Sequence, residues 1–566
     1  AFFSLAYFSC ACSSDFYWVG KDYDSGNCSK KNNWSLTDGG TPGNGSYPQR
    51  KNNDNAIFTQ LSEVTITTGA DCGSIISAAG LNFQSTLTVD GSIAISSGDL
   101  TVSDALSTGG KVEISSGNLS VGKGFSYSGD VNVSGDVSVG TAGIANNNAK
   151  IMAGGKITFS GGFSGSEISC GGALRIGNLG DYKIIINGNV KADSAEFVAS
   201  VRFDSGCTSV STTGTQVFCG AVLLGDDVTF TASSVNFNST LNSNASGFEK
   251  NVVINGDAVF GGSIGESVPL NSLTVNGGSS IDSDKKILTT DFQLYKDEIT
   301  TAKASFSSSD SSVTFEKSIT TGDWGNIEIS TGECAYIKEP FNGKTELKIT
   351  SGNAEIYGSN TFTGLNFQTT ASVSTVKFES GKWQKIGSFY YAKNTILSST
   401  SDEKWYAIFD SAPSKDVFNN IVIKNSRSVK SSGSTELNPL GLTPDSSKIT
   451  DFDLDNPTTE GWFNFSDTYY WLGGASSSWS DVANWSNDGE TALSFGGSPD
   501  FSGGKSKIII AKGESSSQSP FILKLESDIK IKSLSVDSGA EVDFSDAGVK
   551  AYTITNNGTV KISGNQ

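Results

Sequence analysis

The chain alternates apolar and polar residues in runs of three to six, and Gly, Asn, Asp and Ser separate the runs. Val64-Thr-Ile-Thr67, Ser85-Thr-Leu-Thr-Val89, Lys156-Ile-Thr-Phe159, Lys183-Ile-Ile-Ile186 and Val252-Val-Ile254 are typical. A period of two over so few residues predicts short strands with one side buried, and the punctuating residues are those that tolerate left-handed turns. Long helix-favouring runs are nearly absent, so the chain reads as all-β.

The runs also repeat at a longer interval. Ile93-Ala-Ile-Ser-Ser-Gly-Asp-Leu-Thr-Val102, Val112-Glu-Ile-Ser-Ser-Gly-Asn-Leu-Ser-Val121 and Val131-Asn-Val-Ser-Gly-Asp-Val-Ser-Val139 begin 19 residues apart each time. A fixed step of that length marks one coil of a solenoid, which buries its apolar edge only by stacking on the next coil. Crossovers between parallel strands favour one hand, and the expected fold is a right-handed parallel β-helix.

An aromatic-rich module occupies residues 15–60, with Phe16-Tyr-Trp-Val-Gly20, Asn33-Trp-Ser35, Tyr47-Pro48 and Asn53-Asp-Asn-Ala-Ile-Phe58. Its parts return in the same order as Tyr469-Tyr-Trp-Leu-Gly-Gly474, Trp479-Ser-Asp481, Asn484-Trp-Ser486 and Lys507-Ile-Ile-Ile510. This predicts an internal duplication, each copy capping the open edge of a coil array, and therefore more than one solenoid segment. The expected organisation is an apolar arm at 1–14, a cap at 15–60 and regular coils at 61–290. Broader, more aromatic coils at 291–450, a connector at 451–465 and a second cap with β-rich coils at 466–566 complete it.

These phrases resemble secreted bacterial β-solenoid surface proteins and adhesins of the Bacteroidetes and spirochaete type. Units of that group open with a Y-W-V-G-G phrase, then W-S-D and N-W-S, then an N-D-x-V-I-F strand. Tyr17 to Phe58 follow that order, except that Lys21 replaces the second glycine and an insertion carrying Cys28 precedes Asn33. The later copy keeps both glycines and Trp479 but closes with Lys507 to Ile510. The resemblance implies export, an extracellular or cell-surface location and a structural or adhesive role, and it carries over no catalytic residues.

Charge and composition narrow the chemistry. A net charge of −19 without clustered Lys and Arg argues against a nucleic-acid partner. Histidine is absent, which removes the commonest general base and zinc ligand together with every Ser-His or Cys-His nucleophile. An enzyme would have to rely on carboxylates, as polysaccharide lyases and hydrolases do. The candidate acids Asp226, Asp227, Asp282 and Asp284 all stand in turn-like contexts, where Asp more often bends the backbone. The chain is therefore expected not to be an enzyme.

Other candidates are weighed in the same way. Asp451, Asp453 and Asp455 alternate as calcium ligands can, but without the glycine and closing glutamate of an EF-hand, so a solvated linker is favoured and no cofactor is expected. Trp18, Trp34, Trp471, Trp479 and Trp485 could stack on sugars; their recurrence inside caps favours a small hydrophobic core. Cys207 and Cys219, 12 residues apart, are the candidate disulfide, and Cys10 or Cys12 the candidate lipidation site. No run is long enough to span a bilayer as a helix. Phe2, Phe3, Leu5, Tyr7 and Phe8 are expected to form an assembly arm that joins a second copy by strand addition, giving a fibre or layer. A monomeric adhesin that binds host glycan or protein is the alternative.

Overall fold

The computed structural model describes residues 14–19, 27–41, 46–59, 63–141, 143–145, 149–178, 184–368, 373–434, 436–438, 440, 442, 449–450, 459–462, 468–472, 484–486, 507–510, 522–524, 529–538, 541–543 and 549–561. Stacked parallel strands make a β-solenoid of about 20 turns. The chain divides into two compact units, Ala1–Thr321 with Ser330–Glu333, and Gly322–Ile329 with Cys334–Gln566.

In the first unit each regular coil supplies three short strands, one to each of three parallel ladders. One ladder runs through Leu81–Phe83, Leu100–Val102, Leu119–Val121 and Val137–Val139. A second contains Leu87–Val89, Leu106–Thr108 and Phe125–Tyr127. The third contains Ile93–Ile95, Val112–Ile114 and Val131–Val133. The repeated 19-residue phrase thus spells two of the three sides. In each triplet the outer residues are buried and the middle one faces outward, as Leu100 and Val102 do around Thr101. Each fully buried Val, Leu or Ile contributes roughly 1.5–3 kcal/mol, which outweighs the weak pairing of a three-residue strand.

Register between coils matches like with like: Leu100 pairs with Leu119, Val102 with Val121, and Ile95 with Ile114. The third copy of the phrase lacks one serine, so Leu119 pairs with Val137, one residue sooner than the step from Val112 to Val131. The corner absorbs the difference, and neither ladder slips.

Glycine is required at that corner. Gly98 and Gly117 have φ of 85° and 147°, and a Cβ on Gly117 would lie 2.1 Å from the Gly98 carbonyl oxygen. The next position carries a polar ladder. Asn118 donates its backbone N–H at 2.8 Å and its Nδ2 at 3.1 Å to Asp99 Oδ1. Asn118 Oδ1 accepts the Asp136 N–H at 2.7 Å, and Asp136 Oδ1 accepts the Lys156 N–H at 2.7 Å. A similar chain links Asp227, Asn251 and Asn271. The Ser-Ser-Gly-Asp/Asn phrase therefore encodes corners in which one coil satisfies the backbone donors of the next.

Further along, corners straighten. Val228–Phe237 pairs with Ser209–Thr212 along its first half and with Thr215–Phe218 along its second, so two sides fuse into one sheet. Aromatic rings fill the core there: Phe197, Phe218, Phe237 and Phe260 stack in one column at centroid spacings of 4.9, 5.0 and 6.0 Å, with nearly parallel planes. Buried amides bridge the inside of bends. Gln216 Nε2 donates to the carbonyls of Val210 and Thr231, and Gln293 Nε2 to those of Ile287 and Ser307.

The second unit uses longer strands. Asn342–Ile356 pairs with both Asn360–Gln368 and Ser374–Phe378. Trp383–Ile386, Trp405–Phe409, Ser426–Ser428 and Thr459–Glu460 form successive rungs of one ladder. Within the predicted connector, then, Thr459–Glu460 is a rung, and Trp462 is fully buried against Phe389, Trp405 and Phe409.

Candidate functional site

The two aromatic modules share one geometry. In the first, Asp15–Trp18 runs antiparallel to Trp34–Ser35 and parallel to Asn55–Phe58. In the second, Thr468–Trp471 runs antiparallel to Trp485–Ser486 and parallel to Lys507–Ile510. Trp18 and Trp34 meet edge to face at 5.0 Å, and so do Trp471 and Trp485. Asn33 and Asn484 are both fully buried, and their carbonyls accept the N–H groups of Val19 and Leu472 at 2.8 Å each. Lys507–Ile510 thus stands where Asn55–Phe58 stands in the first copy, although the two share little sequence.

This geometry corrects the sugar-platform alternative for these tryptophans. Trp18, Trp34, Trp471 and Trp485 are at most 6% exposed, because their rings face inward against one another and, in the first copy, against Phe58. Trp479 lies outside the described residues, as do Phe2, Phe3, Leu5, Tyr7, Phe8, Cys10, Cys12, Asp451, Asp453 and Asp455.

Asp226 and Asp227 accept hydrogen bonds from the backbone. Asp226 Oδ1 accepts the N–H of Asp227, and Asp227 holds Asn251 through both carboxylate oxygens. Asp284 has a left-handed φ of 65° and pairs with Lys303 at 2.6 Å, a hydrogen bond that holds its carboxyl below the usual range. Among the described residues, no group of three or more Cys, Asp or Glu could hold a metal ion. No described helix is long and apolar enough to cross a membrane.

The expected Cys207–Cys219 bridge is not formed: both are free thiols. Cys207 is buried in the turn before Ser209–Thr212, while Cys219 follows Thr215–Phe218. A 12-residue separation is shorter than one coil and places the two at different corners, whereas vertical neighbours here are about one coil apart.

One outward column combines aromatic and charged groups. On the ladder of the second unit, Trp383 pairs in register with Tyr406, Tyr406 with Arg427, and Arg427 with Glu460. The alternation that turns Trp405 and Ala407 inward turns Tyr406 outward. The Trp383 and Tyr406 rings stack at 5.2 Å with 19° between planes, both half-buried. Glu460 accepts from Arg427 Nε at 2.6 Å and pairs with Lys404. Burial raises the pKa of Glu460, but the hydrogen bonds from Lys404 and Arg427 outweigh it and hold the carboxyl below its usual value.

Sequence reasoning missed this strip. Trp383 and Tyr406 stand 23 residues apart, and only the register shows that this distance is one coil. No family model, curated protein or solved structure matches the chain.

Proposed function

We propose that this protein is a non-enzymatic extracellular scaffold, a subunit of a cell-surface fibre or layer. The observation that supports it is the duplicated cap, with the same strand pairing and the same tryptophan contact in both copies. A chain that carries a start module twice is built from a unit suited to serial repetition, in which coils stack through backbone ladders that any further β-edge can extend. Outward positions such as Thr101, Ser107, Glu113 and Ser120 are polar, which suits solubility.

Electron microscopy of the purified chain and of a variant lacking residues 1–14 tests this reading. The expected result is regular polymers from the full chain and dispersed particles from the truncated one; monodisperse particles from both would overturn it. Labelling intact cells with a membrane-impermeant reagent should mark the protein.

The Trp383–Tyr406 stack beside Arg427 and Glu460 favours a second reading, an adhesin whose outward face binds glycan, since sugar C–H faces pack on aromatic rings and hydroxyls bond to charged groups. Here a glycan array should give a selective signal that W383A and Y406A both abolish. Polymers with no selective signal leave the scaffold reading alone.

A further inference from the structure

We infer that Cys28 and Cys72 form a disulfide that ties the first cap to the coil following it. Both residues line one small pocket of about 20 Å³, together with Trp34, Ala56, Phe58 and Phe83. Both are free thiols in this structure, and both are buried, 8% and 3% exposed. The backbone brings the two segments together independently of the sulfurs. The Cys28 N–H donates to Thr68 Oγ1 at 3.2 Å, four residues before Cys72, and the Cys28 carbonyl accepts the Trp34 indole N–H at 2.8 Å. Cys72 is the last residue of the strand Ala70–Cys72, which pairs with Leu87–Val89 in the first regular coils.

The pair joins distant parts of the chain. Residues 28 and 72 lie 44 positions apart, and the interval contains the cap strands Trp34–Ser35 and Asn55–Phe58. Closing a loop of that length constrains the unfolded chain strongly. It does so across the cap, tying the segment before Trp34–Ser35 to the strand Ala70–Cys72.

The chemistry is an oxidation. Two S–H bonds break and one S–S bond forms, and two protons and two electrons pass to a low-molecular-weight disulfide, which leaves as two thiols. Burial raises the Cys72 thiol to about 12 and pushes the Cys28 thiol higher still, with the charge of a Cys72 thiolate adding to the cost of ionising Cys28. The attacking thiolate is therefore scarce in the closed cap, and the bond forms fastest while the cap is still open. Its formation in the organism rests on the extracellular reading, because only an oxidising compartment sustains it.

The test uses the full chain in a reduced and oxidised glutathione buffer, with and without mild urea, followed by alkylation and non-reducing peptide mapping. The expected result is a Cys28–Cys72 linked peptide that dithiothreitol removes, appearing sooner in urea. In C28S, Cys72 should become fully alkylated in urea. Hydrogen exchange across Trp34–Ser35 and Asn55–Phe58 should be slower in the oxidised protein than in the reduced one. Two alkylated thiols in the oxidised wild type, or a bridge from either cysteine to any other, would overturn the inference. A bridge that forms in the buffer but is missing from protein alkylated in its source leaves the pairing intact and counts against the extracellular reading alone.

Discussion

At the scale of single residues, contact between coils governs what is tolerated. Gly117 is required less for its φ than for the 2.1 Å that would separate an added Cβ from the Gly98 carbonyl oxygen, a backbone atom that cannot rotate away. Gly117→Ala should cost about 1–3 kcal/mol by displacing one coil from the next, read as a lower urea midpoint than wild type. Tyr127 behaves in the opposite sense. Its ring is buried against Phe125, and its hydroxyl has no hydrogen-bond partner among the described residues. Desolvation raises its pKa well above the ordinary tyrosine value, so it stays neutral throughout the working range. Tyr127→Phe removes a hydroxyl that gains nothing from burial, and thermal unfolding should show it neutral or more stable by about 1 kcal/mol. A clear loss of stability would mean that the hydroxyl has an acceptor after all.

At the scale of elements, the unit of stability is a column running through several coils. Phe218 stacks on Phe197 and Phe237 and meets Phe203 and Phe230 edge to face. Phe218→Ala should cost about 3–5 kcal/mol, since in-register β-ladders cannot close around the void; chemical denaturation measures it. Polar columns respond to pH. The carboxyl of Glu460 is held below its ordinary value of 4.5, so the folded state binds its proton less tightly than the unfolded chain does. Its contribution is fully present above 4.5 and is lost as pH falls through the folded value. Glu460→Gln should therefore be less stable than wild type at pH 7 by about 1 kcal/mol, discounted for a partly exposed pair. The urea midpoints of the two proteins should converge on acidification, and a gap that persists in acid would assign the effect to packing.

For the whole molecule, charge and repetition matter more than any one site. The net charge is −19, and among the described residues every charged side chain except Asp54 lies outside the buried core, where exposed pairs such as Lys123–Asp104, Arg175–Glu196 and Lys303–Asp284 join residues about one coil apart. Such pairs contribute little stability individually, and their main effect is to hold the surface polar. Turbidity should therefore peak near the isoelectric point of about 4.5 and clear on either side, in the low-salt buffer where self-repulsion is strongest. A flat turbidity profile would show that surface charge does not control self-association.

Much of this was legible along the chain. Period-two triplets, glycine corners and the 19-residue step are local facts, since a strand alternates and a corner needs small or turn-forming residues whatever surrounds it. They suffice for an all-β solenoid, and the recurring Trp and Asn-Trp-Ser phrases suffice to point to two aromatic modules with the same strand pairing. What stands above what is not local, because it depends on how many residues each corner consumes, and one serine more or less moves every later residue. Only the folded chain therefore decides that Tyr406 stacks on Trp383, that Cys207 and Cys219 sit at different corners, and that Cys28 shares a cavity with Cys72. Alternation assigns each of those side chains to the inside or the outside, while accumulated register, which no short stretch of sequence contains, assigns its neighbours.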